Sequence, residues 1–69
     1  MTNTNRPVIR YSLIRETHLS SGRILREQVD AVYDADWADR LAAEMTEQIH
    51  AAGDASPDRV VVVSARVQG

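Results

Sequence analysis

The feature of the sequence that most constrains the fold is an apolar stripe in its second half. Large apolar residues recur there at every fourth position, with alanines on the same flank: Trp37, Leu41, Met45, Ile49, Ala38, Ala42 and Ala52. This spacing predicts one long amphipathic helix over residues 36–52, with its large side chains buried against a sheet. Asp34 or Asp36 can cap the start of that helix, and Gly53 is a natural stop after its last turn.

A period-2 pattern before the helix predicts a first strand. Ile9, Tyr11 and Leu13 alternate with polar residues after Pro7, which is typical of a strand with one face in solvent. Proline suits the first residue of a strand, where a missing N–H group costs least. Residues 60–67 are predicted to form the last strand, with Val61, Val63, Ala65 and Val67 on one face and Val60, Val62, Ser64 and Arg66 on the other.

The segment over residues 23–33 fits two secondary structures. As a strand its apolar residues alternate largely onto one face, and as a helix they form an equally regular stripe. A three-residue loop, Ser21-Gly22-Arg23, favours the strand because the hairpin then pairs similar side chains. The expected cross-strand pairs are Tyr11 with Tyr33, Leu13 with Ala31, and Leu19 with Leu25.

These patterns together predict a small α+β domain with the element order β-β-α-β. A right-handed crossover that passes over the first strand gives a three-stranded sheet of order 2-1-3, with one helix packed on one face. If residues 23–33 are helical instead, the fold is β-α-α-β. Residues 1–6 are expected to form a disordered tail and residues 7–69 a single domain.

The two faces of the predicted sheet have different expected roles. The face under the helix forms the core, which is expected to contain Ile9, Tyr11, Leu13, Trp37, Leu41, Met45, Ile49, Val61 and Val63. The other face stays open and mixes arginines with β-branched apolar residues. The predicted interaction residues on this open face are Arg10, Ile14, Arg26, Val60, Val62 and Arg66.

The composition predicts a thin core that needs support from outside the chain. Of the 43% hydrophobic residues nine are alanine, and only one Trp and two Tyr are aromatic. Small domains of this kind usually depend on disulfides, a metal or self-association. The sequence contains no cysteine, which excludes disulfides and thiolate zinc sites. We therefore expect a homodimer.

The titratable residues indicate neither a metal site nor a catalytic site. The acidic run at Asp34, Asp36 and Asp39 lacks the spacing of a calcium loop, and carboxylates at a helix N-terminus are stabilised there in any case. His18 and His50 lie far apart in the sequence. No serine sits in a nucleophile-elbow pattern, and no glycine-rich phosphate loop is present. We expect no cofactor, no metal and no enzymatic activity.

Three short stretches resemble the small tautomerases related to oxalocrotonate tautomerase. They are residues 7–13 (PVIRYSL), Gly22-Arg23 and residues 56–62 (SPDRVVV). That resemblance implies an oligomeric strand-helix-strand unit with an N-terminal proline amine as general base. Here Pro7 is internal, so its nitrogen is a tertiary amide that cannot take up a proton. A tautomerase-like activity would require Pro7 to become N-terminal, and the segment between the strands is longer than that family's single helix.

The function expected from the sequence is that of a small non-catalytic interaction or regulatory module. We expect it to act as a homodimer through its open sheet face or its acidic helix, with a second protein as a further partner. The alternative is a nucleic-acid-binding accessory protein that uses the arginines of the sheet face. The net charge of −2 provides no general attraction to nucleic acid or membranes, and no stretch approaches the length of a membrane span. The expected location is cytoplasmic.

Overall fold

The computed structural model describes residues 8–52 and 57–68, with the backbone alone for Gln68. Its elements in chain order are β1 (Val8–His18), β2 (Ile24–Val32), α1 (Ala35–Ala51) and β3 (Arg59–Gln68). The strands form an antiparallel sheet of order β2-β1-β3 with β1 in the centre. The predicted α+β fold of order 2-1-3 is confirmed, and the β-α-α-β alternative is wrong. The predicted tail, the role of Pro7 and the stop at Gly53 lie outside the described residues.

The turn between β1 and β2 has the predicted length and a different position. Its three loop residues are Ser20-Ser21-Gly22, one residue earlier than predicted. The Leu19 N–H donates to the Arg23 carbonyl at 2.9 Å, and the Gly22 N–H donates to the Leu19 carbonyl at 3.0 Å. Gly22 has a φ of 92°. A loop of this type needs a left-handed residue in its last position, so the glycine must come third rather than second.

The register of β1 and β2 differs from the predicted one. Tyr11 pairs with Val32 and Leu13 with Asp30, so the expected Tyr11–Tyr33 and Leu13–Ala31 pairs do not form. The third expected pair, Leu19 with Leu25, is also wrong, because Thr17 lies opposite Leu25. The register shifts by one residue between Leu13 and Ile14, which leaves Val29 of β2 as the extra residue of a bulge.

The helix begins at a side-chain cap of the predicted kind. Asp34 is the N-cap, and its Oδ2 accepts a hydrogen bond from the Trp37 N–H at 3.0 Å. The Asp34 carbonyl accepts the first helical bond, from the Ala38 N–H, at 2.9 Å. Asp36 lies in the first turn, where the partial positive charge of the helix start stabilises it.

The core lies between α1 and the sheet and is built on small helix residues. Its buried members are Leu13, Ala38, Ala42 and Val60, and the half-buried residues packed against them are Tyr11, Val32, Leu41, Met45, Ile49 and Val62. The prediction that Trp37 is buried is wrong, because 46% of this residue is exposed. A four-residue spacing advances about 40° per step around a helix. The stripe therefore winds away from the sheet, and the alanines make the closest approach.

The faces of β3 are the reverse of those predicted. Val60 lies opposite Arg15 and Val62 opposite Leu13, so both valines point toward α1. Val61 and Val63 were assigned to the core and lie on the other face, where half of Val63 is exposed. Four consecutive valines carry no period-2 signal, so the sequence could not distinguish the two faces.

Two smaller observations complete the fold. Ile9, Tyr11 and Leu13 share the helix side of β1 as predicted, with Ile9 half-buried. Arg66 pairs with Ile9 and so lies on the helix side as well, which contradicts its assignment to the open face.

In the parts of the chain that the structure describes, no helix is long and apolar enough to cross a membrane.

Candidate interaction surface on the open sheet face

The open face is the side of the sheet opposite α1. Of the residues predicted to line it, Arg10, Ile14 and Arg26 lie there, whereas Val60, Val62 and Arg66 lie on the helix side. The structure adds residues that the sequence reasoning did not select for this face: Glu16, Arg59, Val61 and Val63. The alternation of β1 after Ile14 already placed Glu16 here, and a correct phase for β3 would have added the others.

An ionic row crosses all three strands at one end of the open face. Glu16 of β1 lies opposite Arg26 of β2 and Arg59 of β3. Its Oε2 accepts from the Arg26 Nε at 3.1 Å, and its Oε1 accepts from the Arg59 Nε at 3.0 Å. Glu16 is only 7% exposed, while both arginines remain largely in solvent. We call these three residues the arginine–glutamate row.

The row holds Glu16 in its charged form. The hydrogen bond from Arg59, followed by that from Arg26, lowers the pKa of the Glu16 carboxyl below its ordinary value of 4.5, and burial opposes this only in part. The row therefore carries a net charge of +1 at neutral pH, with its negative charge enclosed and its positive charges exposed.

The rest of the open face is apolar and carries one further arginine. Val63 is half exposed, and Ile14 and Val61, which lie opposite each other in β1 and β3, are half-buried. Arg10 lies at the opposite end from the arginine–glutamate row. Its Nε is buried and has no hydrogen-bond partner among the described residues.

The charge of the molecule is divided between its two sides. Arg10, Arg26 and Arg59 against Glu16 give the described open face a charge of +2, which is three positive groups minus one negative. On the solvent side of α1 lie five exposed charged residues, of which four are acidic: Asp36, Asp39, Arg40, Glu44 and Glu47. A partner with negative charge is therefore attracted to the open face and repelled from the helix.

A second concave surface lies on the helix side. A cavity of about 450 Å³ opens between the C-terminal half of α1 and the sheet, lined by Arg15, Val29, Met45, Gln48, Ile49, Ala52, Asp58 and Val60. Arg15 Nη2 lies 4.0 Å from Asp58 Oδ2. We call this surface, together with the adjoining flank of α1 and the helix side of β2, the helix–β2 groove.

The helix also closes part of one sheet edge. Thr46 Oγ1 accepts a hydrogen bond from the Val60 N–H at 2.9 Å and lies 3.5 Å from the Val60 carbonyl. One turn later, His50 Nε2 lies 3.0 Å from the Asp58 carbonyl. The side chains of α1 thus occupy the outer backbone groups at the start of β3, which prevents another strand from pairing there.

The features that stand out among the described residues are contact surfaces. Within residues 8–52 and 57–68, no three His, Asp or Glu side chains come together as a metal site would require. Asp34, from the acidic run, is engaged in capping the helix. No protein-family model, curated protein or solved structure matches the chain. The open face and the helix–β2 groove therefore have to be interpreted from their own chemistry.

Proposed function

We propose that this chain is a small non-catalytic protein-interaction or regulatory module, which acts as a homodimer and presents its open face to a partner protein. The observation that supports this function is the open face itself, where exposed Val63 and half-buried Ile14 and Val61 lie between Arg10 at one end and the arginine–glutamate row at the other. Contiguous apolar surface of this kind on a small protein usually marks an interaction site.

The chemistry of the open face defines the partner that fits it. With a charge of +2 and a buried Arg10 Nε that still needs an acceptor, the face suits an apolar protein surface bearing carboxylates. Three strands about 4.8 Å apart and ten residues long span roughly 14 by 33 Å. That footprint is smaller than the ~800 Å² that each partner buries in a standard interface, and two adjoining copies would reach it.

Nucleic acid is the alternative ligand for a face with three arginines, because guanidinium groups bind phosphates well. Proteins that bind single strands on a sheet also stack bases on aromatic side chains. The strands contain one aromatic residue, Tyr11, which packs against the core, and Trp37 lies in α1 on the other side of the sheet. The chemistry therefore favours a protein partner. The cytoplasmic location and the single-domain organisation stay predictions.

Affinity capture with matched variants tests this function. The wild-type chain, Val63→Asp on the open face and Ala43→Asp on the exposed side of α1 are each used as bait in lysate of the source cells, with and without nuclease treatment. We expect the wild type and Ala43→Asp to retain the same protein and Val63→Asp to lose it. Retention by all three baits, or retention that disappears on nuclease treatment, would contradict the proposal.

A further inference from the structure

Each end of the open face carries positive charge that the described residues do not neutralise. At one end, Arg10 is partly buried and forms no ion pair within the described part of the chain, and its Nε has no hydrogen-bond partner there. At the other end, the single carboxylate of Glu16 balances only one of Arg26 and Arg59. We call Arg10 and the arginine–glutamate row the two cationic ends. Arg10 and Glu16 are six residues apart on β1, so the cationic ends lie about 20 Å apart.

The surface between the cationic ends is largely apolar. Ile14 lies opposite Val61, and one step further along the strands Ser12 lies opposite Val63. Ser12 also lies opposite Ala31 of β2, and both of these side chains are small, so another element can approach the middle of the face closely. A ligand that matches this face therefore combines an apolar centre with two negative charges about 20 Å apart.

A second copy of this chain does not match the open face. Two open faces would each bring a charge of +2 into contact, and charges of like sign repel. The solvent side of α1 has the opposite charge, but its middle is Ala43 among charged residues, so it has no large apolar side chain for the centre of the face. Such a contact would also leave one free surface of each kind and add further copies without limit. The open face therefore suits a different protein.

We propose that the open face binds one amphipathic α-helix of a partner protein, which lies along the strands and presents an apolar stripe between two carboxylates four turns apart. Four turns span about 22 Å and return the side chain to the same side of the helix, which matches the separation of the cationic ends. A helix is about 10–12 Å across, so one helix covers a sheet of three strands. The single helix α1 covers the other side in this way. This inference rests on the proposed function and defines the partner's interacting element.

The two cationic ends contribute unequally to this contact. A carboxylate at Arg10 supplies an acceptor to a partly buried guanidinium that has no ion pair among the described residues. A carboxylate at the other end meets Arg26 and Arg59, whose charge is already shared with Glu16 and whose side chains are about 60% exposed. Exposed ion pairs contribute little, because water and salt screen them. Arg10 is therefore the main charged anchor for the partner helix.

NMR titration of the isotope-labelled protein with three synthetic helical peptides tests this inference. The peptides share one leucine stripe and differ in two positions on its flank: two Glu about four turns apart, two Glu about two turns apart, or two Gln about four turns apart. The first peptide should shift the amide signals of Val61 and Val63 and leave that of Ala43 unchanged. It should bind about tenfold more tightly than the Gln peptide, the factor expected of one charged hydrogen bond. The second peptide reaches one cationic end at a time and should bind more weakly than the first.

Two matched variants test the role of Arg10. Arg10→Gln and Arg40→Gln each remove one positive charge, and Arg40 lies on the exposed side of α1. Arg10→Gln should weaken binding of the first peptide about tenfold and leave binding of the Gln peptide unchanged. Arg40→Gln should weaken neither. The NMR spectrum of each variant shows whether it is folded.

The remaining outcomes separate this inference from the proposed function. Equal binding of the three peptides, equal losses in the two variants, or signal shifts at Leu25 of the helix–β2 groove instead of Val63 would overturn the inference. A lysate protein that Val63→Asp loses and Arg10→Gln retains undiminished would also overturn it and leave the proposed function standing. Failure of all three peptides, together with a lysate that yields no protein dependent on Val63, would overturn both.

Discussion

At the scale of the residue, Glu16 shows how a carboxylate can be enclosed on an otherwise open sheet. Arg26 and Arg59 reach it from two different strands, and each donates to a separate oxygen. Neither contact is predictable from one strand alone, because both depend on the register of the sheet. Asp34 differs in this respect, because its capping role depends on local sequence and was predicted correctly.

Glu16 should make the stability of the fold depend on acid. Its pKa in the folded state lies below the ordinary value of 4.5, so the stabilisation is present above pH 4.5 and is lost as the pH falls through the lowered pKa. Urea midpoints measured across this range should fall more steeply for the wild type than for Glu16→Gln. The control Glu47→Gln, on the exposed side of α1, should follow the wild type. Parallel curves for all three proteins would contradict this role of Glu16.

The helix cap provides a second prediction at the same scale. Asp34→Ala removes the acceptor of the Trp37 N–H and should lower the free energy of unfolding by about 1 kcal/mol. Asp34→Asn retains a side-chain oxygen at the same place and should cost only a few tenths of that. Chemical denaturation of the two variants separates the effects. Equal losses would mean that charge near the helix start, rather than the cap, provides the stabilisation.

At the scale of the element, the sequence predicted which segments form strands and helix better than which faces they bury. The helix and strand boundaries follow from local signals such as Asp34 and Gly22. The phase of β3 does not, because a run of four valines is apolar on both sides. The bulge at Val29 is also without a local signal, since it depends on the register of β2 against β1 on either side of Leu13.

The phase of β3 can be checked by truncating two valines of the same strand. Val60→Ala removes side-chain volume from the core and should cost about 2 kcal/mol. Val63→Ala acts on a half-exposed side chain and should cost well under half of that. Urea denaturation of both variants at one protein concentration measures the difference. A larger loss for Val63→Ala would restore the assignment made from the sequence.

The closure of the β3 edge provides a prediction about α1. Thr46→Val keeps the shape of the side chain and leaves the Val60 N–H without its acceptor, which should cost about 1–3 kcal/mol. It should also increase aggregation, because the edge of β3 becomes available to other strands. Thr46→Ser retains the hydroxyl and serves as the control. Unchanged stability and solubility in Thr46→Val would show that the hydroxyl does not protect the edge.

At the scale of the whole molecule, the core is thin and much of the apolar surface lies outside it. Of the described hydrophobic residues only Leu13, Ala38, Ala42 and Val60 are buried, and two of these are alanines. A domain of this size is marginally stable on its own. The proposed homodimer would add burial that the chain cannot supply by itself.

Stability should therefore depend on protein concentration. If folding is linked to association, the thermal midpoint of the wild type rises as the concentration increases. Calorimetry over a hundredfold range of concentration measures this dependence. A wild-type midpoint that does not change with concentration would mean that the folded protomer is stable alone.

The arginine–glutamate row also has a consequence for the order of folding. Glu16 is ten residues from Arg26 and 43 from Arg59. The Glu16–Arg26 ion pair can therefore form within the local β1–β2 hairpin, whereas the Glu16–Arg59 ion pair requires β3. A hairpin forms in roughly 1–10 μs. At about 5–20 residues per second, synthesis of the segment from the end of β2 to β3 takes seconds. During that interval both outer edges of the β1–β2 hairpin are unpaired. The edge of β1 becomes paired when β3 joins the sheet, and the Glu16–Arg59 ion pair forms at the same step.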